Sequence, residues 1–236
     1  MKHMILYSFL YPFLSIIFFF IPKSSFIVAS SYAVDQEQLA RIPYRYASTS
    51  FARDGVLYSY GGVTRDAKAT TLFTSISFDS TNGTVIYHNV NQSSNAPYAS
   101  YAQGVLLNDK NRFILFGGTD NISTITPNST MRVFEYRFDN QTWRELVIST
   151  SNKQLPLHRM EFTAKLSHNG KVYLYGGTIH DTDTILGDAW AFDPEIGEFT
   201  QLTPPPNTLS PSTFGSNDSA SPTNIGLYGH SAITLP

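Results

Sequence analysis

Side chains able to do chemistry are few and dispersed in this 236-residue chain. Its six histidines are His3, His88, His158, His168, His180 and His230. No two of them follow the H-x-H or H-E-x-x-H spacing that brings two imidazoles to one metal ion. The densest donor group is His180-Asp181-Thr182-Asp183. With no matched donors elsewhere, a solvated turn whose Asp side chains cap backbone N–H groups is its plainer reading. His158-Arg159 and His230 begin equivalent strand-like runs, where packing or a turn hydrogen bond accounts for them. Glycoside chemistry needs two converging carboxylates. Asp66, Asp181 and Asp183 are scattered candidates with no order that selects a pair. No G-x-S-x-G elbow occurs. Cysteine is absent, which removes disulfides, thiol catalysis and cysteine-bound zinc. The sequence therefore predicts no catalytic residue, no cofactor and no metal site.

The elements that must position any site are short strands, and they repeat. Leu57-Tyr-Ser-Tyr-Gly61-Gly62 returns as Phe113-Ile-Leu-Phe-Gly117-Gly118 and again as Val172-Tyr-Leu-Tyr-Gly176-Gly177. From Gly61 to Gly117 is 56 residues, and from Gly117 to Gly176 is 59. Each Gly-Gly is followed by a variable stretch and then a strand ending in aromatic-Asp: Phe78-Asp79, Phe138-Asp139 and Phe192-Asp193. Recurrence in register reads these three aspartates as turn makers. A further strand carries a large apolar residue, Ile86, Trp143 or Phe199, expected between neighbouring sheets. Strand-like runs precede each Gly-Gly at 45–51, 98–107 and 159–166.

Four strands per unit follow, joined by turn chemistry. Asp54-Gly55 and Asn169-Gly170 are predicted tight hairpin turns between first and second strands. Asn108-Asp109-Lys110-Asn111 serves the middle repeat. Asn82-Gly83 and Ile196-Gly197 turn the third strand into the fourth. The apolar strand leading into Gly-Gly is expected to be an inner strand, packed on both faces near a crowded axis, where glycine lets backbones approach. That makes Gly61, Gly62, Gly117, Gly118, Gly176 and Gly177 structural. A phosphate cradle would need a helix N-terminus after the glycines, and no helix is predicted there.

These residues resemble the kelch repeat family and its galactose oxidase-like propeller relatives, over roughly residues 44–236. The spacing sits a little above the kelch period of ~50. The resemblance implies an all-β propeller of four-stranded antiparallel blades around a central channel. Blades are expected at 44–92, 96–150 and 155–203, followed by an exposed polar loop at 204–224. Residues 225–236 read as the first strand of a fourth blade, interrupted at Pro236. Closed propellers need about four blades or more. The expectation is therefore a truncated product, an incomplete gene prediction or part of a longer receptor. A bare terminal repeat exposes the face its neighbour covers, so the isolated piece is expected to be marginal or aggregation-prone.

Bulk properties and targeting signals bound the function. Net charge is −2 with no basic block, which leaves nucleic acid without an electrostatic footprint. Residues 1–33 read as a signal peptide: a short basic start, an apolar run at 4–21, and Ser31-Tyr-Ala33 before a cleavage site. An uncleaved anchor is the alternative. Sequons at Asn82, Asn91, Asn121, Asn128, Asn140 and Asn217 fit the same secretory route.

The resemblance then implies a secreted or cell-surface binding scaffold for a protein or glycan, with loops supplying contacts and blades rigidity. The loops after Gly-Gly, at 63–70, 119–130 and 178–187, differ in length and content. Arg65, Asp66 and Lys68 in the first, and His180, Asp181 and Asp183 in the third, are the candidate contacts. Membrane association would come only through the N-terminal segment or a further C-terminal span. The alternative is a fragment of a galactose oxidase-like carbohydrate-active enzyme. The Tyr-Cys copper cofactor of that class cannot form from this chain, so its active residues would lie outside it.

Overall fold

Alternating apolar and polar residues, interrupted every five to seven positions by Asp, Asn or Gly, build antiparallel meanders. The computed structural model describes residues 43–81, 83–119, 129–150, 154–179 and 184–203. These lie in the unit Val34–Pro236; a separate unit, Met1–Ala33, is outside the described residues, as is the polar stretch from 204 onward. No α-helix occurs among the described residues.

The first repeat contains β1 (Arg45–Tyr46), β2 (Thr49–Arg53), β3 (Val56–Tyr60), β4 (Val63–Thr64), β5 (Phe73–Asp79) and β6 (Thr84–Asn89). Its sheet runs β2-β3-β5-β6, and β1 pairs with β4 beside it. The second repeat contains β7 (Gln103–Leu106), β8 (Arg112–Phe116), β9 (Val133–Arg137) and β10 (Thr142–Glu145), in the order β7-β8-β9-β10. The third contains β12 (Thr163–Leu166), β13 (Val172–Tyr175), β16 (Ala189–Asp193) and β17 (Glu198–Leu202). A short ribbon of β14 (Thr178–Ile179) with β15 (Thr184–Ile185) follows its Gly-Gly. Ahead of it, β11 (Ser149–Thr150) joins the outer edge of β17 in parallel and makes this sheet five-stranded.

Three features differ from the sequence-based expectation. The first strands begin late, at Thr49, Gln103 and Thr163, because Ala47, Tyr101 and Glu161 adopt left-handed backbone (φ 54°, 55° and 54°) and break the pleat. The Gly-Gly strand is second in each sheet rather than innermost. It is β2, β7 and β12 that touch one another across repeats. Gly104 in β7 permits this approach: its N–H donates to Thr49 Oγ1 at 2.8 Å, and a Cβ there would enter the Phe113 ring. Asn169-Gly170 sits in a wider loop, closed by Ser167 N–H to Lys171 O at 2.9 Å, whereas Asp54-Gly55 forms a two-residue hairpin with both φ positive.

The cores lie between sheets. Strand β8 supplies both, by simple alternation: Phe113 and Leu115 face the first sheet, Ile114 and Phe116 the third. Tyr60, Phe73, Phe113, Tyr136 and Trp143 form the first interface, with Tyr60–Trp143 centroids 4.6 Å apart. Phe116, Phe162, Leu174, Trp190, Phe192 and Phe199 form the second.

Candidate functional site

The Gly-Gly ends of the three sheets hold most of the inter-repeat hydrogen bonds. In each pair the first glycine stays within its own sheet. Gly61, Gly117 and Gly176 donate N–H to the carbonyls of Leu72, Arg132 and Asp188. The second glycine reaches the next repeat: Gly62 N–H to Ala99 O at 2.6 Å, Gly118 N–H to Arg159 O at 3.1 Å. Space explains the residue type. A Cβ on Gly118, at φ 78°, would lie 2.5 Å from the Ala102 Cβ and 2.6 Å from the Ser100 carbonyl oxygen. Gly118→Ala is expected to cost about 2–3 kcal/mol, from backbone strain plus the clash. Urea titration of the full chain checks it, and a loss under about 1 kcal/mol would show that the neighbours can give way.

Two arginines anchor this end: Arg45, which the sequence reading did not single out, and Arg159, which it read beside His158 as packing or a turn hydrogen bond. Arg45 and Arg159 both stand two residues before the left-handed kink. Arg45 donates to Leu72 O at 2.7 Å and Ser59 O at 2.9 Å. Arg159 is fully buried; it donates to Gly176 O at 3.0 Å and pairs with both Asp188 oxygens at 2.5 and 2.8 Å. Burial works to raise the Asp188 carboxyl. The Arg159 hydrogen bond and charge, with the Trp190 indole, nonetheless hold it below its ordinary value. The signal available was the recurrence of Arg at one offset from the kink. It was masked because the middle repeat has Ala99 there.

His158 donates its Nε2–H to the Gly118 carbonyl, and its own N–H to Ser129 O at 2.7 Å. Thr119, next to Gly118, is buried, and its hydroxyl has no hydrogen-bond partner among the described residues. Thr119→Val keeps the shape and removes an unsatisfied polar group. It should stabilise the fold by about 1 kcal/mol, raising the thermal midpoint. An unchanged or lower midpoint would count against that account.

The candidate contacts divide. Arg65, Asp66 and Lys68 are exposed at the tip of a closed turn, held by Thr64 N–H to Lys68 O at 2.9 Å and Ala67 N–H to Thr64 O at 3.0 Å. The Arg65 guanidinium lies 5.7 Å from the Tyr44 ring centroid. His180, Asp181 and Asp183 lie outside the described residues, so the structure does not bring the two sets together. Sequence reasoning missed the tyrosines of the lead-in segments: Tyr44, Tyr46 and Tyr98 are 57%, 43% and 60% exposed at this same end.

At the opposite end, Asp79 Oδ1 accepts Thr81 N–H at 2.9 Å and Asp193 Oδ1 accepts Glu195 N–H at 3.1 Å. Asp139 instead meets Arg137 and Asn111, which lower its carboxyl to about 2. Among the sequons, Asn91 and Asn140 are exposed. Asn140 Oδ1 accepts the Thr142 hydroxyl at 2.7 Å. Asn82, Asn121, Asn128 and Asn217 lie outside the described residues. Among the described residues no group of three or more His, Asp or Glu is placed to hold a metal, and no helix is long and apolar enough to cross a membrane.

Repeated four-stranded antiparallel sheets, stacked face to face and laced at a Gly-Gly end, define a kelch-type β-propeller architecture, present here as three sheets. The family match agrees with the geometry. Residues 33–229 match the KLHDC2/KLHL20/DRC7 Kelch-repeats domain, and the chain belongs to that family. No curated protein matches the chain at a significant level.

Proposed function

We propose that this chain is a protein-binding scaffold whose contact face is the Gly-Gly end. The observation that carries the reading is the group of exposed tyrosines, Tyr44, Tyr46 and Tyr98, with Arg65 beside Tyr44. Tyrosine and arginine give large contact area at low entropic cost and dominate binding energy at protein interfaces. They sit on lead-in segments pinned by the inter-repeat hydrogen bonds, so little ordering remains to be done on binding.

A photo-cross-linking residue at Tyr98 tests the face. Phe78 is the control, because it is 50% exposed at the turn end of β5, away from the glycines. A protein adduct from Tyr98 and none from Phe78 is expected. Adducts from Phe78 alone would move the interface to the other end. A glycan is the second ligand class, and it would leave both positions without a protein adduct.

We also carry forward, as part of this proposal, passage through the secretory pathway with glycans on Asn91 and Asn140. Both are exposed, which is what an acceptor needs. Endoglycosidase treatment of the expressed chain should increase its gel mobility, and combined Asn91→Gln and Asn140→Gln should shrink that shift. No change in the mobility of the wild type on treatment would end this part of the reading.

A further inference from the structure

Each sheet ends on an outer strand, and the three outer edges differ. In the third sheet β11 covers β17 in parallel, with Ser149 beside Glu198 and Thr150 beside Phe199. In the second, side chains of the preceding linker cap β10. Ser93 Oγ accepts the Trp143 N–H at 2.9 Å, and Asn95 Nδ2 donates to the Trp143 carbonyl at 2.9 Å. In the first, β6 pairs with β5 on one side, and no hydrogen bond reaches its other edge among the described residues.

The pairing shows which groups face outward. Val90 N–H donates to Phe73 O at 2.8 Å, and residues of an antiparallel pair alternate between bonded and non-bonded positions. Val85, Tyr87 and Asn89 therefore aim their N–H and C=O groups away from β5. Tyr87, opposite Ile76, is the counterpart of Trp143, opposite Tyr136. Val85, opposite Phe78, is the counterpart of Phe199, opposite Phe192. Positions capped in the second sheet and covered in the third are thus open in the first.

The strand itself does nothing to blunt this edge. Thr84-Val-Ile-Tyr-His-Asn89 has no proline, lysine or carboxylate, the usual devices that keep an edge from pairing. At six residues it is longer than β10, with four, or β17, with five. Its β-branched and aromatic residues suit a ladder.

We propose that β6 takes up an extended, uncharged segment of a partner protein as a fifth, parallel strand. The molecule already carries this arrangement once, in β11 on β17, where Ile148 packs against the core just before the paired residues. Parallel pairing favours a separate segment over a second β6, because a two-fold axis sets two copies of one edge antiparallel. The surface is the outer edge of the first sheet, so the inference goes beyond the reading given for the Gly-Gly end. The added strand would lie about 10 Å from β5, across β6, which leaves the Phe78 control silent.

The test titrates the full chain with labelled acetyl-Leu-Val-Ile-Ser-Thr-Ser-amide, the sequence of residues 146–151, and with its fully N-methylated form, which cannot build a ladder. Binding of the first peptide alone is expected, with slowed amide exchange at Val85 and Tyr87. Tyr87→Pro removes an outward N–H, which an edge strand tolerates, and should weaken binding about tenfold or more. No binding by wild type, equal binding by Tyr87→Pro, or protection at β17 in place of β6 would each overturn the proposal. So would a wild-type chain already joined to a second copy through β6. Should Tyr87→Pro fail to fold, the exchange pattern of the wild type decides alone. Peptide binding without a Tyr98 adduct would strike the Gly-Gly face and leave this edge standing; an adduct without peptide binding would do the reverse.

Discussion

Replacing Arg159 with alanine is expected to lower the unfolding free energy by about 3–5 kcal/mol. Its side chain is fully buried and ties three pieces of backbone together. The Nε donates to Leu157 O at 3.0 Å, one Nη to Gly176 O at 3.0 Å, and the fork closes on Asp188. Removing it leaves carbonyls unpaired and a carboxylate with only the Trp190 indole, at 2.6 Å, as a side-chain donor. Asp188 is one-quarter exposed and keeps some water, which favours the lower end of the range. Arg159→Lys should be intermediate, because an ammonium cannot span both oxygens and the Gly176 carbonyl in one plane. Arg159→Met with Asp188→Leu should recover much of the loss, since the cost lies in orphaned charge more than in a missing attraction.

The pair also sets a pH dependence. Asp188 has its folded pKa below the unfolded value near ~4, so its stabilisation is complete above that pH. It fades as pH falls through the lower, folded value. Asp188→Asn should flatten that acid slope, because the stabilisation that Asp188 contributes at neutral pH is already absent from the variant. Urea titration between pH 3 and 7 checks both claims. A loss below about 1 kcal/mol for Arg159→Ala would mean that water or rearranged backbone replaces the guanidinium.

What was legible in the sequence, and what was not, divides by the range of the interaction. Gly61-Gly62, Gly117-Gly118 and Gly177 announced themselves because a Cβ at each would meet a neighbour at 2.3–2.7 Å, which admits no side chain. Trp143 and Phe199 were legible as inter-sheet packing because large aromatics in short strands have few other places to go. Asp54-Gly55 was legible as a hairpin because two positive φ angles in sequence demand such residues. The kink at Ala47, Tyr101 and Glu161 was not, because none of the three carries the residue type that marks left-handed backbone. Nor was the identity of the innermost strand. That depends on Gly104 meeting Thr49 and Phe113, and the contact with Thr49 joins residues of different repeats. Strand β11 also escaped notice: two residues of a connecting segment are too short to show a period, and their pairing with Glu198 and Phe199 is long-range. At the candidate face the charged loop drew attention first, since Arg65, Asp66 and Lys68 are polar and clustered. The tyrosines read as ordinary strand formers, and only their exposure at one end distinguishes them.

Substituting Trp143 by alanine is expected to cost about 3–5 kcal/mol, in the range of other large aromatic truncations in cores. The indole is 2% exposed and fills the interface between the first and second sheets. It contacts Tyr60, and Tyr136 at a centroid distance of 5.3 Å. It is also the hub of a hydrogen-bonded connection. Its Nε1–H donates to Gln92 Oε1 at 2.9 Å, its backbone N–H to Ser93 Oγ at 2.9 Å, and its carbonyl accepts from Asn95 Nδ2 at 2.9 Å. The linker between the first two repeats is thereby held onto the second sheet. Trp143→Phe keeps most of the apolar area and loses the Gln92 bond, so it should cost about 1–2 kcal/mol.

The alanine variant has a second use. Trp190 becomes the sole tryptophan, and it lies in the other interface, against Phe199. Repeat arrays can unfold unit by unit when the coupling between neighbours is weak. Here coupling is strong by two routes: β8 contributes alternate residues to both cores, and Gly118 is hydrogen-bonded to Arg159. The Trp190 fluorescence midpoint in urea should therefore fall together with that of the circular dichroism signal. Were Trp190 to keep its wild-type midpoint while the dichroism splits into two steps, the two interfaces would be independent, and damage on one side of β8 would not reach the other.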